Sequence, residues 1–127
     1  MIIEERIYVM YAEASQAEFL HLYETEALVV QRPILGGFLG YFTSEFGQLN
    51  QLVHWWAYRD LEDRRVRRER LAADPQWQAA LPRLRTMLQS MDNRILVPTS
   101  FSPIQRLPVA LGEPHTALSA PWPTAGA

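Results

Sequence analysis

The stretch HWWAYRDLEDRRVRRERL, running from His54 to Leu71, sets an imidazole, two indoles and a phenol ahead of a run of arginines. A neutral imidazole enclosed by aromatic rings can serve as a general base or ligate a haem iron near neutral pH. The more ordinary role is a histidine hydrogen-bonded inside a sheet interface, since catalysis requires partners in defined roles and the sequence displays none. Trp55 and Trp56 are read chiefly as packing residues, because each indole buries a large apolar area. Near the start of the chain, Glu4 and Arg6 are candidates either to anchor a polar ligand or to form ion pairs across the sheet or an interface.

The arginine run is less basic than it looks. Asp60, Glu62, Asp63 and Glu69 largely offset Arg64, Arg65, Arg67, Arg68 and Arg70, and the formal net charge of −2 supplies no overall field to gather phosphates. No nucleic-acid partner is expected. On a helical wheel Leu61, Arg65, Arg68 and Ala72 share a stripe, which predicts that the stems of Arg65 and Arg68 help cover the sheet while their heads form structural ion pairs with carboxylates. His21, His54 and His115 are too scattered for a metal motif, and GGFLG lacks the following helix start that a phosphate-cradling loop requires. There is no cysteine, and every basic residue is arginine, so thiolate and lysine Schiff-base chemistry are excluded. No catalytic residue is assigned.

The elements that must position these side chains follow from pattern. Ile2 to Tyr11 alternates with a period of two and reads as a strand. Ser15 and Glu18 form a capping box for a helix carrying Phe19, Tyr23, Ala27 and Val30 on one face, with Pro33 ending it. Two strands, Gly37 to Glu45 and Gln51 to Tyr58, are expected around a tight turn near Gly47. Asp60 caps a charged helix through Leu71 and Ala72, and Asp74 with Pro75 restarts it. Trp77, Leu81, Leu84, Leu88 and Met91 line one face of that second piece, which Pro82 should kink. Asn93 to Pro98 is a last short strand.

The resulting β-α-β-β-α-β order predicts an α+β, ferredoxin-like sandwich with both helices on one side of an antiparallel sheet. Its first and third strands are then central neighbours. Alternation sorts Ile3, Glu5, Ile7 and Val9 from Glu4, Arg6 and Tyr8, and Val53, Trp55 and Ala57 from His54, Trp56 and Tyr58. The more aliphatic sets suit the helices. That leaves Glu4, Arg6, Tyr8, His54, Trp56 and Tyr58 as the candidate ligand or interface site on the helix-free face, an aromatic surface that marks an interface or a pocket. Dimerisation through the open face is its simplest resolution.

The E-x-R-x-Y start (Glu4, Arg6, Tyr8), GFLGYFTSEFGQLNQLVHWWAY, DRRVRRERL, the DPQW helix start and the final strand running into PTSFSP together resemble the NIPSNAP family across roughly the first 103 residues. The resemblance implies a dimeric α/β barrel, in which two ferredoxin-like sheets close face to face, and it brings no agreed reaction. The expected protein is a homodimer of unresolved biochemical role, and its fold and aromatic surface together point to binding of a small apolar or aromatic molecule in a cleft beside the sheet, with no cofactor expected. The alternative, by analogy of fold, is a cofactor-independent monooxygenase or a haem-handling enzyme, for which haem would be the cofactor.

The domain is expected over 1–103, followed by a Pro-rich C-terminal tail or arm over 104–127, since five of the nine prolines fall from Pro103 onward. Leu107, Val109, Leu111 and Trp122 favour partial docking of that arm. The opening MIIEERIYVMYAE lacks the apolar stretch of a signal peptide, and no run of about 18 apolar residues occurs. A cytoplasmic protein with no membrane partner is expected.

Overall fold

A computed structural model describes residues 1–102 and residue 104. The Pro-rich arm therefore lies outside the described residues. Four strands, β1 (Ile2–Met10), β2 (Gly37–Thr43), β3 (Gln51–Tyr58) and β4 (Leu88–Leu96), form one antiparallel sheet in the order β2-β3-β1-β4. Helices α1 (Gln16–Leu22), α2 (Leu28–Leu35), α3 (Leu61–Ala72) and α4 (Pro75–Arg85) connect them, and the buried core lies between helices and sheet. This is the expected ferredoxin-like α+β sandwich, with β1 and β3 in the centre.

The caps sit where their chemistry requires. Ser15 accepts the Glu18 N–H, Asp60 the Asp63 N–H and Asp74 the Trp77 N–H, so each helix start has one otherwise unpaired donor satisfied by a side chain. The first helix is not one regular rod. Between α1 and α2 the chain makes a π turn over Tyr23–Ala27, marked by the Leu28 N–H bonding to the Tyr23 carbonyl. Its purpose is visible in what is buried: Phe19, Tyr23, Ala27, Gln31 and Leu35 recur every four residues. In an ideal helix that spacing drifts by about 40° per step, and the wider π turn takes back part of the drift.

Several boundaries differ from the sequence reading. Pro33 lies inside α2, and the helix ends two residues later at Leu35, followed by Gly36, whose φ of 83° suits the exit. The second half of the α3–α4 segment stops at Arg85, so Leu88 and Met91 belong to β4, which begins five residues before Asn93. The α3 stripe is displaced by one residue. Leu61 and Arg65 are exposed, whereas Arg64, Arg67, Arg68 and Leu71 turn inward, because the helix is anchored by an ion pair that Arg64, not Arg65, makes to the sheet.

The larger correction concerns the two faces of the sheet. The sets Glu4/Arg6/Tyr8 and His54/Trp56/Tyr58 do meet, with Glu4 opposite Trp56 and Arg6 opposite His54, but they face the helices. Ile3, Glu5, Ile7, Val9, Val53, Trp55 and Ala57 occupy the helix-free side. Burying rings as large as Trp56, Tyr58 and Tyr8 removes more apolar area from water than burying Ile7 and Val9. The polar members of the set find partners among the helices and β4.

Trp77 is buried against this core at the start of α4. Trp77→Ala is expected to lower stability by about 3–5 kcal/mol, the range for large aromatic truncations in cores. Denaturant unfolding followed by circular dichroism measures it, and a loss under about 1 kcal/mol would contradict the packing described.

Candidate functional site

His54 is fully buried in the middle of β3, and its two ring nitrogens have different fates. Nδ1 accepts a hydrogen bond from Trp56 Nε1 at 2.8 Å, while Nε2 is buried with no partner. An indole N–H is donor only, so Nδ1 must carry a lone pair and the proton of the neutral ring sits on Nε2. Burial, followed by the charge of Arg6 across the strand pair, pushes the imidazole pKa down to about 3. His54 is thus a neutral hydrogen-bond donor at physiological pH. This arrangement does not fit a haem ligand, which needs a free lone pair at Nε2, and a group with so low a pKa is a poor general base near neutrality.

Aromatic rings enclose the imidazole. Tyr41 stacks on it with centroids 4.4 Å apart, and Tyr8 meets it edge-on at 4.8 Å. Tyr23 packs on Tyr41 at 4.8 Å. Arg6 donates from Nε to the Tyr8 hydroxyl at 2.9 Å and from Nη1 to Glu4 at 3.3 Å. Burial pushes the Tyr23 and Tyr41 hydroxyls well above the ordinary phenol range, so both remain protonated donors. Tyr23 donates to the Gln31 side-chain oxygen, but the Tyr41 hydroxyl is buried without a partner. The cage therefore holds two unspent donors, His54 Nε2–H and Tyr41 O–H.

Toward the start of β1 lies a second polar group. Glu4, wholly buried, accepts from Arg64 Nη2 at 2.7 Å, Asn93 Nδ2 at 2.8 Å and Arg6. Burial alone would raise its pKa, but the hydrogen bonds from Arg64 and Asn93 and the charges of Arg6 and Arg64 outweigh burial and hold the carboxyl below its usual range. Burial raises Tyr58, beside it, to about 12. Of the two arginines expected in structural ion pairs, Arg65 does pair with Glu62 and Glu69, on the exposed side of α3 where such contacts contribute little. Arg68 has no carboxylate within ion-pair reach among the described residues, and its Nη1 is buried unpaired.

All six expected site residues are thus gathered beneath the helices, in two adjoining clusters. Tyr23, Gln31, Tyr41, Arg64 and Asn93 were not foreseen. Gln31 had a legible signal, a polar residue continuing the four-residue line of Phe19, Tyr23 and Ala27. Tyr41 had none, since its direction depends on a register shift between Phe38 and Gly40. Among the described residues no group of three or more acidic, histidine or cysteine side chains could hold a metal, and no helix is long and apolar enough to cross a membrane.

Residues 3–103 match the NIPSNAP family. Protein NipSnap of Drosophila melanogaster is 37% identical over 68 residues, which is 54% of this chain and 24% of that protein. The chain spans about a quarter of the length of such curated relatives. A NIPSNAP family crystal structure from Agrobacterium tumefaciens superposes with a TM-score of 0.79 at 46% identity, covering 82% of this chain and 98% of that one. SnoaB of Streptomyces nogalater, a cofactor-independent oxygenase, shares the fold at a TM-score of 0.55 and 14% identity, over 80% of this chain and 96% of its own.

The low pKa of His54 has a thermodynamic consequence. The folded state refuses a proton that the unfolded chain accepts near pH 6.5, so stability is full above that pH and declines as pH falls toward about 3. Denaturant unfolding is expected to show a loss of about 1.4 kcal/mol per pH unit between pH ~6 and ~5 from this group. That slope should be absent in His54→Gln. An equal slope in both proteins would mean that the imidazole titrates normally in the fold.

Proposed function

The chain belongs to the NIPSNAP family, and on that premise we propose that it is a homodimer that binds a small aromatic molecule between sheet and helices, through an acceptor oxygen on that molecule. The observation that carries the reading is the pair of unspent donors in the aromatic cage, His54 Nε2–H and Tyr41 O–H. Buried donors without partners are costly, and a site that keeps two of them suits a ligand that satisfies them. Both are neutral, so the matching group is a carbonyl or a similar uncharged acceptor rather than a metal or a cation. The surrounding tyrosines supply flat apolar walls and, through Arg6, a positive edge.

The oxygenase reading has less behind it. The fold it shares with SnoaB, at 14% identity, says nothing of chemistry, and His54 is a donor rather than the base that proton abstraction would need. Haem handling is disfavoured by the same protonation state.

Dimerisation is supported by the helix-free face. Ile7, Val9, Val53 and Trp55 are only half-buried there, and Phe42 is exposed. A second copy presenting the same face would cover this patch and close two sheets into a barrel.

Two outcomes test the reading. A saturable change in tryptophan fluorescence is expected on titration with 1-tetralone, a neutral aryl ketone, and Tyr41→Phe should weaken binding by about tenfold by removing one donor. No saturable binding, or equal binding by Tyr41→Phe, would reject the site. For the interface, light scattering should find wild-type protein dimeric at micromolar concentration and Val53→Glu monomeric with its helical circular dichroism retained. A monomeric wild type would end the dimer proposal.

A further inference from the structure

The polar groups beneath α3 are not all spent, and they adjoin the His54 cage without sharing its unpaired donors. Arg64 gives Nη2 to Glu4 and leaves Nε unpaired. Arg68 leaves Nη1 unpaired, and the Tyr58 hydroxyl, though close enough to Arg68 to feel its guanidinium, makes no hydrogen bond of good geometry. All three atoms are closed to solvent. Charge is unbalanced in the same direction: the guanidiniums of Arg6 and Arg64 already hold Glu4, and Arg68 adds a third positive group beside Tyr58 with no counter-ion among the described residues. A buried guanidinium with neither a carboxylate nor a full set of acceptors is unfavourable as it stands.

We propose that these unpaired donors bind the carboxylate group of a small organic acid, seated between Arg64 Nε and Arg68 Nη1 with the Tyr58 hydroxyl as a third donor. The donor set matches that group. Two guanidinium edges and a phenol offer N–H and O–H bonds to two oxygens sharing one negative charge, the pairing arginine makes best. A dianion such as phosphate fits less well, because the ionised Glu4 carboxylate stands beside the same arginines. Tyr58 is protonated at physiological pH, since burial holds it at about 12, and so it can donate. The occupant is small because the unpaired atoms are enclosed, and of the groups around them the Arg64 side chain reaches solvent, being 26% exposed. Glu4 Oε1, also unpaired, is an acceptor and takes no part in holding an anion.

This site uses none of the donors of the ketone-binding cage: its own come from α3 and the last residue of β3, and its failure would leave the Tyr41→Phe result untouched. The test uses benzoate and its neutral counterpart benzamide, each titrated calorimetrically into the full-length protein. Benzoate is expected to bind, benzamide to bind about tenfold more weakly or not at all, and Arg68→Gln to lose about tenfold in benzoate affinity. Benzoate should also raise the melting temperature of the wild type and not that of Arg68→Gln. Because Arg68 lacks a counter-ion, Arg68→Gln is expected to fold and to melt at or above the wild-type temperature. Tyr58→Phe, which removes the third donor alone, should show an intermediate loss of benzoate affinity. Absence of benzoate binding, equal binding of benzoate and benzamide, or unchanged benzoate affinity in Arg68→Gln would overturn the proposal, and would leave these polar atoms to be satisfied by water.

Discussion

A carboxylate with no exposure to water must find its partners inside the protein, and Glu4, held through its Oε2, is such a group. Its partners come from three elements: Arg6 on its own strand, Asn93 on β4 and Arg64 on α3. Together they tie the central strand to its outer neighbour and to the helix layer above. The ion pair with Arg64 sets the rotation of α3, since a guanidinium at that position must turn toward the sheet. Leu71 then falls into the core, and Leu61 is left outside. An unpaired charge at this depth would cost several kcal/mol, so the alternatives in which α3 is rotated by one residue are strongly disfavoured.

The same constraint explains why the faces of the sheet are the reverse of what hydrophobicity suggests. Alternation correctly sorted β1 and β3 into two sets and correctly paired Glu4, Arg6 and Tyr8 with His54, Trp56 and Tyr58. Assigning the aliphatic set to the helices relied on composition alone. It overlooked that α3 carries arginines rather than leucines toward the sheet, so the strand face beneath it has to offer a carboxylate and ring faces. The cue was present in DRRVRRERL, a helix too polar to cover an aliphatic sheet. Element order, the two Asp caps and the central pairing of β1 with β3 were legible, because each depends on local spacing or on topology rules that hold generally.

What could not be read are two single-residue irregularities. The π turn at Tyr23–Ala27 keeps Tyr23 and Gln31 on the inner line, and the shift between Phe38 and Gly40 sends Tyr41 inward and Phe42 outward. Each changes the direction of every later side chain in its element, and neither has a dependable sequence signature. They are what bring Tyr23 and Tyr41 onto His54. The irregularities thus sit at the cage rather than at random in the fold, as is common where backbone is adjusted to present particular side chains.

The protonation state of the cage decides what chemistry it can support. Trp56 holds Nδ1 of His54 as an acceptor, which leaves Nε2 a donor, and burial with Arg6 opposes a second proton. Tyr23 and Tyr41 are held protonated by burial. None of these groups takes up a proton readily at neutral pH, and three of the ring systems present donors or faces. A site of this kind suits neutral acceptor oxygens and withstands changes of pH above the ordinary histidine range. The sandwich is common to proteins with as little as 12% identity to this chain, so the fold alone does not choose a use for what lies between sheet and helices. His54, with Nδ1 held by Trp56, and Tyr41, protonated and unpaired, present donors and no ready base, which fits the proposed binding of an acceptor better than the drawing off of a proton.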